Sequence, residues 1–286
     1  MMRVKKCVIT AAAPQQRRLP LQMLIDRDGV ERSLLAILLE EAARAGIEEV
    51  AVVVCPGDGE VYASVAGEHA ARVRFLEQSE PRGYAHALHC AKEFTAGEPF
   101  LHMVGDHVFV SHDGSGCAAR VVALAQGEDC AVSAVQATRE SQLTQFGAVG
   151  GQPEPGRQGI YRIDAVLEKP TPTEAEQKIF VPGLRAGHYL CFFGLHVFTP
   201  AVMELVEELL RQASGPVSVS AALDSLARSS RYLALEMQDR RYDLGARYGL
   251  LQAQLALALS GADRGEILAA LVEMLALQPG GAGGRA

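Results

Sequence analysis

A chain of 286 residues, 49% hydrophobic and 21% charged, has the composition of an ordinary globular protein with a large core. Its 27 basic and 34 acidic residues leave a formal charge of −7, which disfavours a nucleic-acid-binding surface but allows a local basic pocket. No apolar run nears the roughly 20 residues of a membrane span, and the apolar part of MMRVKKCVIT is too short for a signal peptide.

Strand and helix patterns alternate through the first half. VKKCVIT (4–10) predicts a strand, SLLAILLEEAARAG (33–46) a helix ending at Gly46, and EEVAVVVC (48–55) a buried strand. GEVYASVAG (59–67) follows as a short helix, ARVRFLEQ (71–78) as a strand, and GYAHALHCAKEF (83–94) as a helix. PFLHMVGD (99–106) reads as a strand, CAARVVALAQG (117–127) as a helix and DCAVSAVQAT (129–138) as a strand. Such alternation with short loops predicts parallel pairing through right-handed crossovers. From about residue 145, QFGAVGG, GIYRIDAVLEKP and HYLCFFGLHVF read as strands without full helices between them, so antiparallel or mixed pairing is expected there. PAVMELVEELLRQ (200–212) and AALDSLA (221–227) are amphipathic helices. ARYGLLQAQLALALS and GEILAALVEMLALQ form a helical end over 245–277, turning at ADRG. PGGAGGRA is too glycine-rich to order itself. The expectation is a single α/β domain over 1–277, with a mixed, mostly parallel sheet flanked by helices and a disordered tail at 278–286.

In open sheets of this kind ligands bind outside the carboxyl ends of the strands, where the loop 11–20, the turn 78–86 and Asp106 all fall. Asp106 suits either a hard cation such as Mg²⁺ or a plain turn cap. His102, His107 and His112 in HMVGDHVFVSHD alternate faces if they share one strand, which argues against a zinc site. Six scattered cysteines without a C-x-x-C pair read as reduced thiols of a cytoplasmic protein. Gly83 in SEPRGYAHAL lets the backbone approach a planar ligand ahead of a helix N-terminus. Glu168 and Lys169 in AVLEKP reach one ligand only if the strand bends there; otherwise they are a solvated strand end. Asp243 in YDLGARYG, taken alone, reads as a helix N-cap. No G-x-G-x-x-G follows the first strand, which disfavours a dinucleotide-binding oxidoreductase.

Taken in order, Arg17, RGYAHAL (82–88), VGD (104–106), QFGAV (145–149), LEKP (167–170), FFG (192–194) and YDLG (242–245) resemble the pattern of the bacterial UTP–glucose-1-phosphate uridylyltransferases, within the sugar-nucleotide pyrophosphorylases. The resemblance runs from about residue 4 to 260 and implies a Rossmann-like nucleotide-diphospho-sugar transferase fold. It implies attack of a sugar 1-phosphate, glucose 1-phosphate by the family, on the α-phosphorus of a nucleoside triphosphate, UTP by the family, with pyrophosphate leaving. Such a reaction rests on positioning and charge neutralisation. By resemblance Arg17 and Lys169 are catalytic, holding the triphosphate and the sugar phosphate, and Asp106 and Asp243 hold Mg²⁺. Ala12, Ala13, Gln78, Gly83 and His86 meet the nucleotide; Gly147, Glu168 and Gly194 meet the sugar. A homo-oligomer, dimer or tetramer, is expected, with neither nucleic acid nor membrane as a partner.

The first loop departs from the family pattern G-x-G-T-R followed, after an insertion, by P-K-E-M-L-P. Ala13 and Gln15 replace the glycines, Gln16 the threonine, and Leu21 the second phosphate-binding lysine. PVSVSAA (216–222) replaces the family segment E-I-Q-L-T-D-A and loses its acidic groups. Lost glycine restricts how closely backbone N–H groups wrap a phosphate. Two expectations follow: an active nucleotidyltransferase, or a catalytically impaired sugar-nucleotide or sugar-phosphate binding protein with a regulatory or assembly role.

Overall fold

A computed structural model describes residues 2–277; the predicted tail at 278–286 lies outside the described residues. The chain enters the core on β1 (Lys6–Thr10), then makes a small hairpin of β2 (Met23–Ile25) and β3 (Glu31–Ser33). α1 (Leu34–Arg44) starts where the Ser33 side chain accepts from the Ala36 N–H, an N-cap that satisfies one orphan donor. β4 (Glu49–Val54), α2 (Gly59–Val65) and β5 (Val73–Glu77) follow, then α3 (Tyr84–His89) and α4 (Lys92–Thr95). The run GYAHALHCAKEF, predicted as one helix, is therefore two, broken at Cys90–Ala91. Next come β6 (Phe100–Val104), β7 (His107–Val110), α5 (Cys117–Glu128) and β8 (Ala131–Arg139). The second half contains β9 (Ala148–Pro153), β10 (Ile160–Leu167), α6 (Pro172–Lys178), β11 (His188–Phe198), α7 (Pro200–Gln212) and α8 (Val219–Ser229). β12 (Tyr232–Glu236), β13 (Arg240–Asp243), α9 (Gly249–Ser260) and α10 (Arg264–Ala276) complete it.

Nine strands form the main sheet in the order β5-β4-β1-β6-β11-β8-β12-β10-β9. The β5-β4-β1-β6 half is parallel throughout. β11 then runs antiparallel to both β6 and β8, and β10 antiparallel to β12 and β9, as the change of rhythm near residue 145 predicts. β1, β4 and β6 are buried on both faces, so VAVVV of β4 is apolar without alternation. α1 and α5 pack on one face; α3, α7 and α8 cover the other, giving two cores around one sheet.

PFLHMVGDHVFVSHD does not make one strand. The chain turns at Gly105–Asp106, and β7 leaves the main sheet to pair antiparallel with β13, setting Asp243 opposite His107. Gly105 lies so close to β1 that a Cβ there would meet the Thr10 carbonyl oxygen at 2.8 Å. This turn, the end of β1 and the end of β13 all open on the same edge of the parallel half.

Candidate active site

At that edge lies a cleft of about 390 Å³. The first loop supplies Thr10 to Ala13 and Gln16; Gln78, Gly83, Tyr84, Asp106, Glu168 and Lys169 line the rest. Of the predicted site residues, Ala12, Ala13, Gln78, Gly83, Asp106, Glu168 and Lys169 line this one cavity.

Asp106 and Asp243, 137 positions apart in sequence, converge with His107 so that one ligand atom from each lies within 4.8 Å of the others. Asp243 is not a helix cap: it ends β13, and its Oδ1 accepts the Gly245 N–H at 2.8 Å. His107 Nδ1 pairs with Asp106 Oδ1 at 2.6 Å. Burial pushes the Asp106 carboxyl up, but the His107 charge, its hydrogen bond and a bond from Gln16 outweigh it, so the group titrates below its ordinary value. An ionised, half-hidden carboxylate beside a second one is a donor set suited to a hard divalent cation.

Glu168 and Lys169 do reach one cavity, and the cause is a bend. Lys169 has φ +45°, one of four non-glycine residues in the described chain with positive φ. That left-handed residue, two beyond the end of β10, turns two sequence neighbours towards the same space, at a conformational cost of order 1–3 kcal/mol. The residue before a proline is also steered away from right-handed helix, and Pro170 follows. Ser220, in the segment that replaces the family's acidic one, donates to Glu168 Oε2 and fixes it.

The first loop corrects an expectation. Arg17 does not line the cleft; its guanidinium makes a two-bond ion pair with Asp58, with Nε to Oδ2 at 2.7 Å. The loop folds back through Gln16 N–H to the Ala13 carbonyl and Leu19 N–H to the Gln16 carbonyl. That turn points Gln16 into the cleft and Arg17 out of it, where Tyr62 OH also holds the Arg17 carbonyl at 2.7 Å. No residue from 11 to 20 has positive φ, so the loop follows its path without glycine. Among the described residues the Ala12 and Ala13 N–H groups make no backbone hydrogen bond and remain available to an anion. The Arg27 guanidinium is held away from the first loop by the Ser260 carbonyl.

Three more predicted residues stand behind the wall rather than in it. His86 Nδ1 faces Gln78 Nε2 at 3.1 Å. Gly194 sits at the irregularity of β11 with φ +91°, and a Cβ there would meet Val104, a cleft residue, at 2.7 Å. A Cβ on Gly147 would meet the Phe192 ring at 2.8 Å and Ser220 Oγ at 3.0 Å. Gly83 has a packing task too, since a Cβ would lie 2.9 Å from the Val217 backbone. Sequence reasoning missed Gln16, His107, Ser220 and Tyr84. Of these only His107, adjoining Asp106, carried a signal, and the assumption of one continuous strand concealed it.

Residues 18–259 match the family model described as "Nucleotidyl transferase". The chain belongs to that family. The chain is 26% identical to UTP–glucose-1-phosphate uridylyltransferase 1 of Streptococcus pyogenes serotype M3, over 91% of this chain and 90% of the relative. It is 25% identical to the UTP–glucose-1-phosphate uridylyltransferase of Streptococcus pneumoniae serotype 4, over 90% and 91%. Among solved structures, a UDP-glucose pyrophosphorylase complexed with UDP-glucose superposes with TM-score 0.73 at 22% identity, covering 89% of this chain and 98% of that one. A UTP-bound UGPase from Acinetobacter baumannii gives TM-score 0.73 at 21% identity, covering 96% and 100%. The Rossmann-like nucleotidyltransferase fold is thereby shown.

Proposed function

We propose that this nucleotidyl transferase, acting as one domain over 1–277, joins UTP to glucose 1-phosphate and releases UDP-glucose and pyrophosphate. The observation that carries this is the convergence of Asp106 and Asp243 beside Glu168 and Lys169 at the carboxyl edge of the parallel strands. An oxygen of the sugar phosphate attacks the α-phosphorus, the bond to the bridging oxygen breaks, and the β- and γ-phosphates leave together. Lys169 neutralises the attacking phosphate and brings it to the α-phosphorus; Glu168, fixed by Ser220, orients the sugar. Gln16 and the N–H groups of Ala12 and Ala13 face the triphosphate, and Gln78, Gly83 and Tyr84 face the nucleoside. Asp106 and Asp243 would hold Mg²⁺, which when bound neutralises phosphate oxygens.

Pyrophosphate release, measured with UTP or dTTP against a panel of sugar 1-phosphates, tests the proposal. Release with UTP and glucose 1-phosphate is expected; UDP-glucose binding without release from any pair would overturn it. That second outcome is the impaired binding protein, which the diversion of Arg17 to Asp58 favours.

We also propose self-association, as a dimer or tetramer, through the helical end. α10 buries no residue although Leu268, Val272, Met274 and Leu275 are all exposed on it. A two-fold contact lets such a face cover itself with a second copy. Light scattering should give an oligomer for wild type and a monomer for Leu268→Glu; a wild-type monomer rejects it. Among the described residues no helix is long and apolar enough to cross a membrane, and all six cysteines are free thiols, which supports a cytoplasmic setting.

A further inference from the structure

His107 opens β7 directly opposite Asp243 on β13. Residues opposite one another in an antiparallel pair share one face of the ribbon, with Cβ atoms about 4.5–5.5 Å apart. Asp106 precedes the strand, in the turn with Gly105, so it escapes the alternation that would send it to the other face. The three residues therefore meet. His107 Nδ1 lies 2.6 Å from Asp106 Oδ1, and one ligand atom from each residue lies within 4.8 Å of the others. The imidazole is buried, only 9% exposed, so packing rather than solvent sets its place beside the carboxylates.

Bonds of about 2.0–2.6 Å to a divalent cation put its ligand atoms up to about 4–5 Å apart, which is the spacing of this set. A neutral imidazole carries its one N–H on either nitrogen. With the proton on Nδ1, His107 donates to Asp106; with the proton on Nε2, the same Nδ1 turns a lone pair towards the carboxylates. Hard Mg²⁺ prefers oxygen and gives up its waters reluctantly, whereas imidazole suits first-row transition cations. Two carboxylates and one imidazole nitrogen thus form a donor set that separates these ions more sharply than two carboxylates do.

We propose that His107 is a third protein ligand of the cation at Asp106 and Asp243, so that the site selects first-row transition divalent cations over Mg²⁺. The assignment rests on the reading given above, in which the two carboxylates hold a metal. Calorimetric titration of Co²⁺ and of Mg²⁺ into wild type, H107N and D106N tests it, with thermal melts of all three and pulsed EPR of bound Mn²⁺. In H107N, whose amide can still donate to Asp106, Co²⁺ affinity should fall about ten- to a hundredfold while Mg²⁺ stays within about threefold. Wild type should show nitrogen modulation on Mn²⁺ from a bound imidazole, and H107N none. Bound Mn²⁺ without nitrogen coupling in wild type overturns the inference alone and leaves His107 the task of orienting Asp106. Unchanged Co²⁺ affinity in H107N, equal losses for Co²⁺ and Mg²⁺, or nitrogen coupling that persists there also overturn it. Metal binding that is unchanged in D106N, or absent from wild type, overturns this inference together with the metal reading. Should H107N lose its cooperative melt, H107Q, which also carries an amide, decides the same comparison.

Discussion

The two flanks of the cleft hold their cations differently. On the first-loop flank Arg17 is neutralised by Asp58 and the wall is Ala11, Ala12, Ala13, Pro14 and Gln16. On the opposite flank Lys169 lines the cavity and takes part in no ion pair among the described residues. The free positive charge thus lies on the side that the proposed function gives to the sugar phosphate, and the first-loop side offers backbone N–H groups and an amide. A family fold can keep its acceptor machinery while its triphosphate loop is rebuilt. The two flanks are separately testable.

The largest effect is expected where the flanks meet. Asp106→Asn removes one of the two carboxylates that face each other across the turn. A fall of about 10³-fold in kcat/KM, about 4 kcal/mol, is expected, together with a weakened Mg²⁺ dependence. Identical metal titrations of wild type and variant, followed by pyrophosphate release, would reject the pairing with Asp243.

Next comes Lys169, where backbone and charge can be separated. Lys169→Met keeps the length but removes the charge, and should cost about 10²–10³ in turnover, about 2.7–4 kcal/mol. Lys169→Gly also relieves the left-handed backbone, so it should melt at or above the wild-type temperature while losing comparable activity. If the Met variant turns over normally, the acceptor flank does not depend on this cation.

Much of this site was legible because strand ends carry it. The apolar runs of β1 and β4 and the break in rhythm near residue 145 locate the sheet edge, and the ordered motifs place Asp106 and Asp243 upon it. β13 was not legible: RRYD has no apolar alternation, since it pairs with β7 outside the main sheet. Nor was the direction of Gln16 and Arg17, which depends on a turn of hydrogen bonds rather than on any period. The bend at Lys169 has no signal in AVLEKP beyond the following proline, because a lysine there accepts a backbone that glycine normally takes.

Beneath both flanks lies a third, smaller effect. His102 and His196 face one another on β6 and β11, almost wholly buried, with rings 5.6 Å apart. Burial pushes His196 down to about 3, and burial, then the His196 charge, lower His102 well below its ordinary value. Below the ordinary histidine pKa the unfolded chain takes up protons that the folded chain refuses, so stability falls as pH drops from about 6.5 towards 3. The slope is about 1.4 kcal/mol per pH unit for each such histidine, or about 2 kcal/mol each by pH 5. Urea unfolding at pH 7 and pH 5 should show it, with a shallower dependence in His196→Phe. Equal slopes would mean that His196 is protonated in the folded protein.

The smallest change is expected at Arg17, and it sharpens the comparison most. With its guanidinium bound to Asp58, Arg17→Ala removes a partly exposed ion pair and no cleft contact, so UTP affinity should stay within about threefold of wild type. Asp58→Ala is the informative partner. It frees the guanidinium beside a loop whose Ala12 and Ala13 line the cavity with N–H groups that make no backbone hydrogen bond, so UTP should bind several-fold more tightly. That gain should vanish in the double variant, because only Arg17 supplies it. Leu21→Lys adds a cation to the same flank by another route and should raise turnover, since charge grows on the departing pyrophosphate. Calorimetric titration of UTP into the four proteins of the Arg17–Asp58 cycle reads the coupling directly. If Arg17→Ala alone weakens UTP tenfold or more, the ion pair opens on nucleotide binding. The first loop then grips the triphosphate by charge, as the opposite flank grips the sugar phosphate, and the asymmetry belongs only to the unliganded protein.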